Sequence, residues 1–203
     1  FYGSQVLLSV EEVAMKGRHN IGNALAALAL GHAAGLPIVS MLETLRTFKG
    51  LPHRCEAIAT IDNVSYINDS KGTNIGATLA AIEGFGSDSY KNLLLIAGGQ
   101  GKGQDFDGLK EAADSFVKCG FLYGEDAQQL EDALHSVTKV YRADSLVEAV
   151  AVAKSAARPG DIVLLSPACA SFDSFTGFEE RGHCFSQAVL SPVKTGSREG
   201  MTS

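Results

Sequence analysis

Apolar and polar positions fall in blocks along most of this chain, and the blocks change period in a regular order. Residues 92–97 and 161–165 are short and almost continuously apolar, the pattern of strands buried on both faces. Residues 54–61 and 64–67 read as two further strands joined by an Asp62-Asn63 turn, and 120–123 and 138–141 complete the set. Between and after them the spacing predicts helices over 74–85, 109–117, 127–134, 146–157 and 178–190. Strand and helix in alternation predict an α/β fold: a Rossmann-like, mostly parallel sheet with helices on both faces.

The opening residues break this rhythm. Residues 5–9 could form a strand, and 20–34 are so uniformly apolar that the helix they predict should be buried on most sides. Pro37 suits the first turn of another helix reaching about Phe48, with Ile38, Met41, Leu42 and Leu45 at helical spacing. Gly50-Leu-Pro52 then punctuates the chain, and the expected division is 1–50 from 51–203. The polar stretch at about 193–203 lacks periodicity and reads as a flexible tail.

Chemistry is concentrated where strands end, the place where open α/β sheets bind ligands. After 64–67 comes Asn68-Asp-Ser-Lys-Gly-Thr-Asn74, which puts Lys71 between Asp69 and Thr73 at a helix start. A lysine there can reach phosphate or carboxylate oxygens, Asp69 can orient a donor or a metal-bound water, and free backbone N–H groups attract anions. Residues 92–97 lead into Gly98-Gly-Gln-Gly-Lys-Gly103, which satisfies neither the GxxxxGK[ST] phosphate loop nor a helix-opening GxGxxG. It offers Lys102 as a point charge for a carboxylate. The last strand runs into Ser166-Pro-Ala-Cys-Ala-Ser-Phe172, where Ser171 and the backbone near Phe172 can donate to a carboxylate and Phe178 can wall a pocket. Cys169 has no histidine at a suggestive spacing and reads as a packed small residue, and Glu179-Glu180-Arg181 reads as dipole compensation and ion pairing. Asn20 and Asn23 share one helix face and can read a base or ribose edge, while His53-Arg54 sits at the expected boundary.

Composition narrows the classes. With 45% apolar and 20% charged residues over 203 positions, this is an ordinary globular chain. A formal charge of −6 argues against a general nucleic-acid binder, so an anionic ligand has to meet a few placed cations such as Lys71, Lys102 and Arg54. Four scattered cysteines without CxxC spacing argue against structural zinc and a disulfide framework, and fit a reducing compartment. No signal peptide or apolar span is evident, and the chain does not begin with Met, so it reads as part of a longer polypeptide.

Taken together, GRHNIGNALAALAL, LPHRCE, NDSKGTN, AGGQGKGQDF and LLSPACASFDSFTGFEERG, in that order from about residue 17 to 190, closely resemble the Mur ligase family in its D-glutamate-adding branch. The resemblance implies a cytoplasmic, three-domain ATP-dependent ligase of peptidoglycan synthesis. Such an enzyme activates UDP-N-acetylmuramoyl-L-alanine as an acyl phosphate, with Mg2+ on the phosphates, and joins it to the D-glutamate amine. By resemblance Asn20, Asn23, His53, Arg54, Asp69 and Lys71 would contact ATP. Thr73, Lys102, Ser171, Phe172 and Phe178 would hold D-glutamate, Lys71 and Lys102 would serve catalysis, and no metal ligand is assigned. The phosphate loop, the modified lysine, the magnesium ligands and the UDP-binding domain of the family are missing. Residues 1–50 would therefore be the tail of the central ATP-binding domain, 51–203 the C-terminal amino-acid-binding domain, and the chain inactive alone. Gly72 stands where alanine is commoner in the family, a change expected to be small. Other readings are a folylpolyglutamate-type ligase, a diamino-acid ligase (against which the absent Asp-Asn-Pro-Arg counts), and a free-standing Rossmann-like binding or regulatory module.

Overall fold

The computed structural model describes residues 6–191. Six strands, β1 (Glu56–Ile61), β2 (Val64–Asn68), β3 (Leu93–Gly98), β4 (Val117–Tyr123), β5 (Lys139–Arg142) and β6 (Ile162–Leu165), form one sheet in the order β1-β2-β6-β3-β4-β5. Every pairing is parallel except the β1–β2 hairpin. Asp62 and Asn63 close that hairpin with φ of 50° and 60°, the left-handed pair that a two-residue turn needs and that short polar side chains tolerate.

Alternation along the central strands splits the core into two layers. Leu93, Leu95 and Leu164 face α3 (Ile75–Phe85), α4 (Lys110–Phe116) and α5 (Ala127–Leu134), where Ile82, Ala113 and Leu130 meet them. Leu94, Ile96, Val163 and Leu165 face α6 (Leu146–Ala156) and α7 (Phe178–Leu190), filled by Val150, Phe185 and Val189. The sheet is thus covered on both faces, as its unbroken apolar strands require.

The opening residues lie outside these layers. Helix α1 (Arg18–Ala33) packs on α3 and on α2 (Ile38–Thr47), and Arg18 pairs with Asp88 at 2.9 Å. The expectation of a helix buried on most sides is corrected, because α1 buries only Ala24 and Gly31, and Leu25 and Leu30 stay 56% and 72% exposed. Its apolar surface is wider than the two helices that cover it, and the remainder lines an apolar groove of about 410 Å³ with Leu7, Leu8, Val10 and Ile38. The expected strand at 5–9 is also corrected: residues 6–9 carry no regular structure, lead into a 3-10 turn, Val10–Glu12, and add no strand to the sheet. Residue 5 and the expected tail fall outside the described residues.

Gly98 ends β3 at φ 139°, and a Cβ there would overlap the carbonyl oxygen of Tyr123. Gly103 also has a positive φ, of 72°, but faces open space. Gly98→Ala should cost about 3 kcal/mol or more, because a backbone oxygen cannot step aside, and Gly103→Ala only about 1 kcal/mol. Urea denaturation of the two variants measures the gap, and equal midpoints would contradict this account of the strand end.

Candidate functional site

Strands β2, β6 and β3 lie side by side, and their register sets Asn68, Leu165 and Ile96 level across the sheet. The three following loops therefore leave from one rim. They are also bonded to one another. Ala168 donates to the Gly72 carbonyl at 2.9 Å, Gly98 to that of Pro167 at 3.0 Å, and Gln100 and Ala170 exchange two backbone hydrogen bonds. Gln104 accepts from the Ile75 amide at 3.2 Å and donates to the Gly101 and Ala168 carbonyls, tying the β3 loop to α3 and to the β6 loop. Thr73, Lys102 and Ser171 thus belong to one connected rim.

Each expected lysine lies by a phenylalanine of the β6 segment. Lys71 Nζ stands 3.9 Å from the Phe178 ring centroid and Lys102 Nζ 5.4 Å from that of Phe172. A ring face attracts a cation while leaving its outer N–H donors free for a ligand. Lys102 is exposed and held at φ 56°, a left-handed conformation that costs a non-glycine residue about 1 kcal/mol. Ser171 is buried and its carbonyl accepts from Ser174 and Phe175, while Phe172 is 64% exposed. Thr73 is half-buried beside Asn74, which caps α3 by accepting from the Ala77 amide at 2.9 Å.

A cleft of about 200 Å³ opens between this rim and the start of α1, where Asn20, Asn23, Arg54, Asp69 and Lys71 line its walls. Asn23 donates to the Asn20 side chain at 3.1 Å, and Asn20 to the Lys16 carbonyl at 2.7 Å, so both amides are oriented. His53 does not line the cleft. It turns inward, buried, with its ring 6.0 Å from Phe178 and 4.9 Å from His183, and Nδ1 3.1 Å from the Asn68 amide nitrogen. Burial, and then the nearby His183, lower its pKa.

Asp69 is the buried acid of the site. Its carboxylate accepts from Ser166 Oγ at 2.8 Å and from the Cys55 amide at 3.2 Å, yet desolvation outweighs both bonds and raises its pKa from 3.8 to about 6. A Cβ on Gly72 would run into Asp69 Oδ2 and come within 2.8 Å of Ser166 Oγ. Glycine at 72 thus leaves the Asp69 carboxylate and the Ser166 hydroxyl the space in which they bond, and alanine there would need one of them to shift.

Sequence reasoning missed Gln104, Ser166 and Arg181. Arg181, expected to serve dipole compensation and ion pairing at the helix start, is fully buried and donates to Ser70 Oγ, to the Ser70 carbonyl and to the Cys169 carbonyl at 2.8–3.0 Å. Its place beside Gly182, in a helix start otherwise acidic and polar, gave no periodic sign of burial. Cys169 is fully buried too, and desolvation pushes its thiol up to about 12, which keeps it protonated at neutral pH. Among the described residues no three His, Cys, Asp or Glu side chains gather as metal ligands, and no helix is long and apolar enough to cross a membrane.

The fold and this rim define a class. Residues 53–169 match the family described as "Mur ligase, glutamate ligase domain", and the chain belongs to the Mur ligase family. Among relatives, it is 54% identical over 190 residues to a UDP-N-acetylmuramoylalanine–D-glutamate ligase of Acinetobacter baylyi, covering 92% of this chain and 42% of that protein. The Pseudomonas fluorescens protein of the same name is 52% identical over 185 residues, covering 91% and 41%. The chain thus spans less than half the length of these relatives. Its fold matches a Mycobacterium tuberculosis folylpolyglutamate synthase complexed with ADP (TM-score 0.63, 17% identity, 88% of this chain and 42% of that one). It also matches MurF from Acinetobacter baumannii (TM-score 0.61, 15% identity, 86% and 38%).

Asp69 makes stability depend on pH. Its carboxyl holds a proton more tightly folded than unfolded, so this contribution to stability is fully present below about pH 3.8 and lost as pH rises through about 6. Asp69→Asn should therefore gain on the parent by roughly 2 kcal/mol between pH 4 and 7. Paired denaturation curves across that range read the difference, and a pH-independent gap would contradict the buried carboxylate.

Proposed function

We propose that this chain is the amino-acid-binding portion of an ATP-dependent ligase that adds D-glutamate to UDP-N-acetylmuramoyl-L-alanine in the cytoplasm. The observation that carries the reading is the connected rim, in which Lys102, Thr73 and Ser171 stand on three loops bonded to one another. Identities of 52–54% to relatives named for that reaction support it. D-Glutamate carries two carboxylates, and the rim offers two kinds of partner for them. Lys102 with Thr73 forms one, and Ser171 with neighbouring backbone N–H groups the other. Phe178 and Phe172 set their rings beside the ammonium groups of Lys71 and Lys102.

The cleft suits the nucleotide side of the reaction. Asn20 and Asn23 present amide edges, Arg54 and Lys71 present cations, and Asp69 offers an acceptor for a ribose hydroxyl, while His53 supports Phe178 from behind. The substrate carboxylate takes the γ-phosphoryl group and ADP leaves. The glutamate amine then attacks the acyl carbon, the C–N bond forms, inorganic phosphate departs and the amine loses a proton. Lys71 sits between cleft and rim, where it can meet charge developing on the transferred phosphoryl oxygens. Mg2+ would arrive with the phosphates and neutralise them. On this reading residues 1–50 are the end of a central ATP-binding domain and the sheet begins a C-terminal one after Pro52. The phosphate loop would lie in the part of the relatives that this chain does not span.

In the full-length polypeptide, Lys102→Ala removes one charge-assisted contact, worth about 1.5–3 kcal/mol, so kcat/KM for D-glutamate should fall roughly 10- to 150-fold. Phosphate release with D-glutamate, L-glutamate and a diamino acid tests both the loss and the substrate. Residues 1–203 alone should turn over no ATP. Robust ATPase activity from them, or preference for another amino acid, would overturn the reading.

A further inference from the structure

We propose that Arg181 is the positioning residue of this rim: its guanidinium ties the β2 loop to the β6 loop, onto which the β3 loop is hydrogen-bonded, in the one arrangement that lets Lys71, Thr73, Lys102 and Ser171 serve a single ligand. It does so without touching that ligand, because none of its surface reaches solvent. The identity of the ligand rests on the function proposed above; the holding role rests on geometry alone.

Arginine is among the residues least often fully buried, and a fold that buries one has to satisfy its donors. Here its three hydrogen bonds go to neutral oxygens on the β2 and β6 loops, and the guanidinium also acts on the buried Tyr123 hydroxyl at the end of β4, opposing the rise that burial gives its pKa. Nε donates to Ser70 Oγ at 3.0 Å, one terminal nitrogen to the Ser70 carbonyl at 2.8 Å, and the other to the Cys169 carbonyl at 3.0 Å. Ser70 Oγ passes the restraint on by donating to the Phe178 carbonyl at 2.8 Å, and Phe178 is the ring beside Lys71. The third loop closes on the same group, since a Cβ on Gly99 would lie 3.3 Å from the guanidinium.

The anchored positions flank the expected ligand contacts. Ser70 adjoins Lys71, Cys169 lies two residues before Ser171, and Gly99 three before Lys102. A rigid planar fork bonds two oxygens of one residue and the carbonyl of another loop in one fixed geometry. An ammonium brings the charge to this place but not the fork. Arg181→Lys therefore separates geometry from electrostatics.

The test uses the full-length polypeptide, with Arg181→Lys and the milder Ser70→Ala, which keeps the guanidinium but deletes one of its acceptors. Arg181→Lys should raise KM for D-glutamate roughly tenfold with kcat within about threefold, the pattern of lost binding geometry. Hydrogen exchange at the cross-loop amides of Gly98, Gln100, Ala168 and Ala170 should accelerate together by about tenfold, with β4–β5 amides unchanged. Ser70→Ala should shift both readouts in the same direction by less. A parental KM and parental exchange in Arg181→Lys would overturn the proposal while leaving the ligase reading intact. If the parent fails to use D-glutamate but the four amides still respond together, the ligase reading falls and the holding role stands.

Discussion

Three parallel strands in level register have to release their loops at one rim, and everything functional in this chain depends on that constraint. Leu165 sits between Asn68 on one side and Ile96 on the other, so the residues that follow begin at the same height. Proximity alone would leave three floppy segments. Backbone bonds from Ala168 to Gly72, from Gly98 to Pro167 and between Gln100 and Ala170 turn them into one surface. The apolar layers above and below fix the strands, and the strands fix where the loops start.

The electrostatics of this surface run against the chain as a whole. A protein of formal charge −6 presents two lysines at the rim and Arg54 in the adjoining cleft, while the Asp69 carboxylate is drawn inside and Asp126 is bonded to the Gly101 amide. Local placement rather than net charge decides which ligand such a basin attracts. Larger cavities lie elsewhere, in apolar grooves of about 410 and 430 Å³ beside α1 and α2, and they hold none of this chemistry.

Much of this was legible in the residues. Continuous apolar runs announced β3 and β6, Asn74 announced the start of α3, and all three polar strand ends proved to share a rim. What stayed hidden was long-range. The last strand slots between β2 and β3, and no local pattern encodes that order. Arg181 reads from sequence as an ion-pairing group at a helix start, because burial of a guanidinium depends on carbonyls 111 and 12 residues away along the chain. Helix α1 misled in the opposite way: its uniform apolarity states what the helix can bury, and burial depends on what packs against it.

The central claim is that one acidic amino acid is held by three loops at once. Amide NMR of the full-length polypeptide, titrated with D-glutamate in the presence of a non-hydrolysable nucleotide, tests it most directly. The account predicts perturbations at Thr73, Lys102 and Ser171 that grow together with a common midpoint. Shifts confined to a single loop, or centred on the apolar grooves beside α1 and α2, would contradict it.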